Sequence, residues 1–157
     1  MAGKDQITED SNKKIINKKL SEYNSIIKEN EGIYRRVAKK NGLSDSAFWI
    51  LYMMCEEEGK LTQSTVCDTF CQPKQTVNSA LKKLEKEGFV KLETVAGSNG
   101  KHINFTQKGW KFAKQTIYRV IASEQKAIDG LTLKEQEEFF RLFRKFTKLL
   151  KENMEEI

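Results

Sequence analysis

Between Pro73 and Glu87 the chain reads PKQTVNSALKKLEKE, and at about 100° per residue this stretch sorts into two faces. Val77, Leu81 and Leu84 fall together, with Ala80 beside them. Gln75, Ser79, Lys82 and Lys86 lie opposite, flanked by Thr76, Asn78 and Lys83. The chemistry open to that outward face is hydrogen bonding. Gln and Asn each present a donor beside an acceptor, which matches the major-groove edge of adenine, and Ser and Thr hydroxyls adapt to any base. Lysines one turn later, and Lys74 at the start, suit phosphate contacts that fix register. In isolation the same pattern describes any amphipathic surface helix with a solvated face.

The flanking elements decide between these readings. Thr62 can cap a short helix over Gln63 to Thr69, Phe70-Cys71-Gln72 makes a turn, and Pro73 stands at the first position of the next helix. Gly88 stops that helix. Phe89 to Thr94 and His102 to Phe105 read as short strands, with Asn99-Gly100 as the hairpin signal between them. Helix, turn, helix and β-hairpin in this order make a winged major-groove reader. Lys74, Gln75, Thr76, Asn78, Ser79 and Lys82 are then the candidate reading residues. Lys91, Asn99, Lys101 and His102 are the candidate wing contacts, in a loop suited to the minor groove. Charge agrees: from Lys60 to Lys111 there are nine lysines against Asp68, Glu85, Glu87 and Glu93, so this segment carries +5 of the chain's +6.

Other chemistries are poorly represented. His102 is the one histidine, and no acid or cysteine stands at a helpful spacing for catalysis or metal binding. Three cysteines (Cys55, Cys67, Cys71) cannot all pair within one chain. Cys67 and Cys71 invite a thiol-sensor or half-metal-site reading, but small buried hydrophobes is the plainer one. No phosphate loop, paired-carboxylate site or nucleophile motif is present, so the expectation is a non-enzyme without metal or cofactor. Tyr23, Trp49, Tyr52 and Met53 could line a pocket for an aromatic ligand, or simply fill a core.

The 157 residues must also position the reader. Apolar residues at 16, 20, 23, 27, 34 and 37 step by heptad spacing and predict a long first helix, ended by Asn41-Gly42, after a polar, frayed Met1–Asn12. From Ser44 as N-cap, AFWILYMMC is apolar nearly all round and predicts the most buried helix. One helix over about Gln107 to Ile128 and a last one opening on the capping box Thr132-x-x-Glu135 complete the chain. The fold class expected is mainly α with a small β-hairpin: a winged helix-turn-helix over 43–106, with 13–42 and 107–155 forming a helical dimerisation region. The seam of the first helix and the aromatic stripe of the last exceed what one small lobe can cover. The longest apolar run, Ala47 to Cys55, is about half of what a bilayer requires, and no secretory signal opens the chain, so a soluble cytoplasmic protein is expected.

LTQSTVCDTF, PKQTVNSALKKLEKEGFV and INFTQKG, with Ile103-x-Phe105-Thr106-x-x-Gly109 as an apolar-x-apolar-Thr-x-x-Gly pattern, resemble the MarR family, the multiple-antibiotic-resistance regulators. The resemblance implies a homodimer with interlocked terminal helices and two winged lobes reading successive major grooves of a pseudo-palindromic duplex. It also implies transcriptional repression, relieved in many members by a small aromatic effector. One departure stands out. The family's wing usually carries Asp-x-Arg, and those positions are Gly97 and Asn99 here, removing a minor-groove anchor and an internal salt bridge. The reactive cysteine of the peroxide-sensing branch, near the start of the first helix, is also missing. The other reading open to the sequence is a winged helix used for protein contact or small-molecule capture, without specific DNA binding.

Overall fold

The computed structural model describes the backbone of residues 5–57, 61–70, 73–94 and 101–157, with side chains over the same residues except 5–17 and 70. Helix α1 runs over Asp5–Lys40, α2 over Asp45–Glu56, α3 over Gln63–Phe70 and α4 over Lys74–Lys86. Strands β1 (Val90–Thr94) and β2 (Lys101–Phe105) follow, then α5 (Gln107–Gln115), α6 (Ile117–Asp129) and α7 (Leu133–Met154). The fold is the expected mainly helical one with a winged helix-turn-helix at its centre.

The core gathers around α2. Ala47, Phe48, Ile50, Leu51, Met53 and Met54 are all buried and Trp49, Tyr52 and Cys55 half-buried, so the helix that is apolar nearly all round is also deeply enclosed. Ser44 caps it by accepting from the Ala47 amide at 3.2 Å. Val66 and Cys67 of α3, Val77, Ala80, Leu81 and Leu84 of α4, and Val90 and Ile103 of the hairpin close over it. Ala38 at the end of α1 and Ile117 at the start of α6 seal the opposite side.

Two glycines end helices in the left-handed conformation, Gly42 at φ 71° and Gly88 at φ 75°. In each case the next amide reaches back to the carbonyl five residues earlier, Leu43 to Ala38 and Phe89 to Leu84, both at 2.9 Å. This doubled closure satisfies the last carbonyls and turns the chain sharply. After α4 it aims the chain directly into β1.

Three boundaries differ from expectation. Helix α1 already covers residues 5–12, because no Gly or Pro falls between Asp5 and Asn12 and the acidic residues there favour a helix N-terminus. Pro73 is the cap residue of α4 rather than its first helical one, with ψ at 134°. The helix expected over Gln107 to Ile128 is two helices. Thr116, at φ −123° and ψ −74°, breaks it, its hydroxyl donating to the Phe112 carbonyl at 2.7 Å and drawing the turn inward.

Helix α7 opens on the full capping box of Thr132 and Glu135. None of its residues is buried; Phe139, Leu142, Phe143, Phe146, Leu149 and Leu150 lie exposed along it. Among the described residues, no helix is long and apolar enough to cross a membrane.

Candidate nucleic-acid interface

The projecting helix is α4. Val77, Ala80, Leu81 and Leu84 anchor it against the core, which leaves Lys74, Gln75, Thr76, Ser79 and Lys82 exposed along the outer side. Among the described residues no carboxylate reaches Lys74, Lys82 or Lys86; Lys83 pairs loosely with Glu87 at 3.9 Å. The free cations therefore sit on the same surface as the amide and hydroxyl groups. Ser79 donates to the Gln75 carbonyl at 2.9 Å, so its hydroxyl faces a partner as an acceptor.

Asn78 stands apart from the others. It is half-buried, and its Oδ1 is shielded with no hydrogen-bond partner among the described residues. It sits at the margin of the outer face, where the amphipathic pattern put it as a flank, and only part of its amide is available to a ligand.

Behind α4 the hairpin pairs antiparallel from Val90↔Phe105 to Thr94↔Lys101. The segment before α3 adds a third edge: Thr62 bridges His102, and the Ile103 amide donates to the Leu61 carbonyl at 2.9 Å. Strand alternation turns Val90, Leu92 and Ile103 inward and Lys91, Glu93 and Asn104 outward. On that outer side Lys91 Nζ meets Glu93 Oε1 at 2.5 Å, and Asn104 donates to the other carboxylate oxygen at 2.8 Å. These contacts hold the Glu93 carboxyl below the usual carboxylate range, the Lys91 hydrogen bond contributing most. The cation predicted at Lys91 is thus present but already neutralised. His102 is half-buried where the third edge joins, and Lys101 is exposed. Asn99, Gly97 and the remaining tip, 95–100, lie outside the described residues, as do Cys71 and Gln72 of the turn.

The apolar-x-apolar-Thr-x-x-Gly stretch has a plain physical role. Ile103 is fully buried, and Thr106 caps α5 by accepting from the Gly109 amide at 3.0 Å. A Cβ on Gly109 would lie 1.8 Å from the Phe89 carbonyl oxygen. Only glycine lets α5 pass beneath the start of β1. Around this crossing, Phe89 meets Phe112 at 4.4 Å and Phe105 meets Trp110 at 4.7 Å, both as tilted ring pairs.

The four residues suggested for a ligand pocket are not brought together. Trp49 and Tyr52 are in ring contact at 5.3 Å, but Met53 points into the core, and Tyr23 lies against Phe146 of α7 at 4.8 Å. Tyr23 thus meets α7, whereas Tyr34 and Val37, further along the same seam, pack towards α2 and the core. What does surround Trp49 is Tyr34, at 5.0 Å, which sequence reading left unassigned. The Tyr34 and Tyr52 hydroxyls both donate to Glu124 of α6, at 2.5 and 2.6 Å. Tyr34 and Glu124 help line a cleft of about 590 Å³ between α1 and the α5–α6 junction. Residues 90 apart in sequence gave no local signal of this meeting.

Of the cysteines, Cys67 is buried in the small core, and Cys55 is half-buried. Burial, with the Glu56 charge, pushes the Cys55 thiol up to about 11, away from the reactive thiolate. Among the described residues no cluster of His, Cys, Asp and Glu is arranged to hold a metal ion.

Comparison with known proteins places this geometry. No curated protein matches the chain. The fold is shared with NMB1585, a MarR family regulator from Neisseria meningitidis, at a TM-score of 0.72 and 17% identity over 88% of this chain and 97% of that one. A MarR family protein from Listeria monocytogenes, solved with a 26-mer DNA, gives 0.67 and 22% over 85% and 89%. MepR of S. aureus, also solved with DNA, gives 0.65 and 18% over 80% and 93%. At such identities the likeness establishes the fold. The family model itself matches residues 41–98, which span α2, the helix-turn-helix and the first half of the wing. That segment is similar to the MarR family, and the solved MarR family structures share the fold of the whole chain.

Proposed function

We propose that this protein is a dimeric, sequence-specific DNA-binding regulator of transcription that acts as a repressor on an inverted repeat. The winged lobe, 43–106, reads each half-site. The helical regions 13–42 and 107–155 join two copies. The observation that carries the reading is the outer face of α4: Gln75, Thr76 and Ser79 exposed beside Lys74 and Lys82, with neither lysine neutralised among the described residues. Amides and hydroxyls suit base edges, and the flanking ammonium groups suit phosphates. The DNA bound to the Listeria and S. aureus relatives supports the same use of the fold.

Pairing has its own support. The unburied stripe of α7 and Leu20, Ile26 and Ile33 of α1 form an apolar surface this chain does not cover. Two rigidly joined readers match half-sites about 34 Å apart, one turn of duplex. An aromatic effector would enter the cleft beside Tyr34, whose volume of about 590 Å³ is ordinary for a small-molecule site.

The test is selection of bound fragments from a random duplex pool, followed by titration against salt. An inverted repeat should emerge, with affinity falling steeply as salt rises. Gln75→Ala should relax sequence choice, whereas Lys82→Ala should weaken every site alike and lower the salt slope by about one. Binding that never discriminates between sequences would refute the assignment and favour the protein-contact or ligand-capture use of the fold.

A further inference from the structure

Three helices converge on one carboxylate. Glu124 of α6 accepts from Tyr34 of α1 at 2.5 Å and from Tyr52 of α2 at 2.6 Å. The Trp49 ring packs against both tyrosines, at 5.0 and 5.3 Å, and so fixes the direction of each hydroxyl. Hydrogen bonds to an ionised acceptor are about twice as strong as neutral ones, and here one acceptor holds two donors from separate elements.

The mechanical setting gives this junction its meaning. Helix α5 opens the C-terminal helical region but is fixed to the winged lobe, held under the hairpin by the close approach at Gly109 and by the Phe89–Phe112 and Phe105–Trp110 ring contacts. Helix α6 leads towards α7 and its exposed stripe. Between them stands the single non-helical residue Thr116. A joint of one residue leaves the angle between lobe and arm loosely set by the backbone alone. Glu124 lies two turns beyond it, and Tyr52 belongs to α2, whose far side supports Val77, Leu81 and Leu84 of α4.

We infer that Glu124 is a positioning residue for DNA reading: by clasping Tyr34 and Tyr52 it sets the angle of the winged lobe on the helical arm, and with it the separation of the two reading helices. The inference rests on the DNA-reading function proposed above. Loss of the clasp leaves the reading face intact but lets the lobes swing, so the change falls on spacing and not on base choice.

The experiment uses the full-length protein with Tyr52→Phe, which removes one oxygen and keeps the ring, and with Glu124→Ala. Each is titrated against the selected inverted repeat and against versions with one base pair added to or taken from the spacer. Amide exchange is followed in parallel over residues 116–124. The expected result is roughly tenfold faster exchange at this joint per lost hydrogen bond. The advantage of the best spacer over its neighbours should shrink by a similar factor, with the preferred half-site sequence unchanged. Tyr52→Phe binding with the wild-type spacer preference overturns the inference, even if exchange accelerates, because that is the behaviour of a merely structural contact. Wild-type protein that selects no repeat sinks the function proposed above, and is distinguishable from a wild type that selects one and variants that match it. Should Glu124→Ala fail to fold, Tyr52→Phe decides alone.

Discussion

Replacing Gly109 by alanine tests the packing of the winged lobe at its tightest point. The added Cβ would stand 1.8 Å from the Phe89 oxygen and 2.8 Å from its carbon, so helix and strand must part by more than 1 Å. The obstacle is backbone, with no side chain able to swing aside. Forcing such an overlap costs about 1–3 kcal/mol in a well-packed interior. The Phe89 carbonyl also accepts from the Thr106 amide at 3.1 Å, and displacing it forfeits about 1 kcal/mol more. Better helix propensity returns up to ~1 kcal/mol. The balance is a loss of about 2 kcal/mol, or roughly 4–8 °C in Tm for a chain of this size. Urea and thermal melts at fixed protein concentration measure it. Gly32→Ala is the control, since its Cβ meets only the flexible end of Arg36, at 3.3 Å. That variant should be stabilised by up to ~1 kcal/mol. Equal, small effects at the two glycines would refute the account of the crossing.

Thr132→Ala removes the cap of α7 and should lower stability by about 1 kcal/mol, read from the urea midpoint. Phe143→Asp places a charge in the exposed stripe of α7 and should convert a dimer into a monomer at micromolar concentration; sedimentation equilibrium showing an unchanged dimer would move the interface elsewhere. Tyr34 is held up to about 12, by burial first and by Glu124 second, and Tyr52 is raised for the same reasons. The folded state therefore keeps these protons longer than the unfolded chain. Their contribution is complete below about pH 10 and is lost as pH climbs towards 12, so the urea midpoint should fall across that window. A midpoint independent of pH there would contradict the clasp.

The winged lobe was legible because its signals are local. Gly88, Thr106 and the alternation of Val90 to Thr94 each act within a few residues, and the period of Val77, Leu81 and Leu84 oriented α4 correctly. The break at Thr116 was not legible, since a threonine inside an amphipathic run reads as helix, and Ser79, Ser123 and Thr147 make the same backward hydroxyl bond within unbroken helices. The clasp was hidden for a deeper reason. Tyr34, Tyr52 and Glu124 come from three helices, and each alone reads as an ordinary residue on a helix face. Tyr23 was open to two readings, pocket wall or plain core, and its contact with Phe146 of α7 is a third that heptad spacing alone does not single out. The neutralisation of Lys91 depends on the outward pairing of Glu93 and Asn104, which a count of lysines does not reveal.

The absence of any buried residue in α7 has a consequence for how the molecule comes into being. The winged lobe closes its interior with Ala38 of α1 and Ile117 of α6, and so is complete before α7 is made. Helix α7 carries a greasy ribbon from Phe139 to Leu150 that stays exposed even where Tyr23 touches Phe146. On the pairing proposed above, each newborn copy faces a race between meeting its twin and sticking to whatever else is near, and the yield of paired protein should grow faster than linearly with its rate of synthesis.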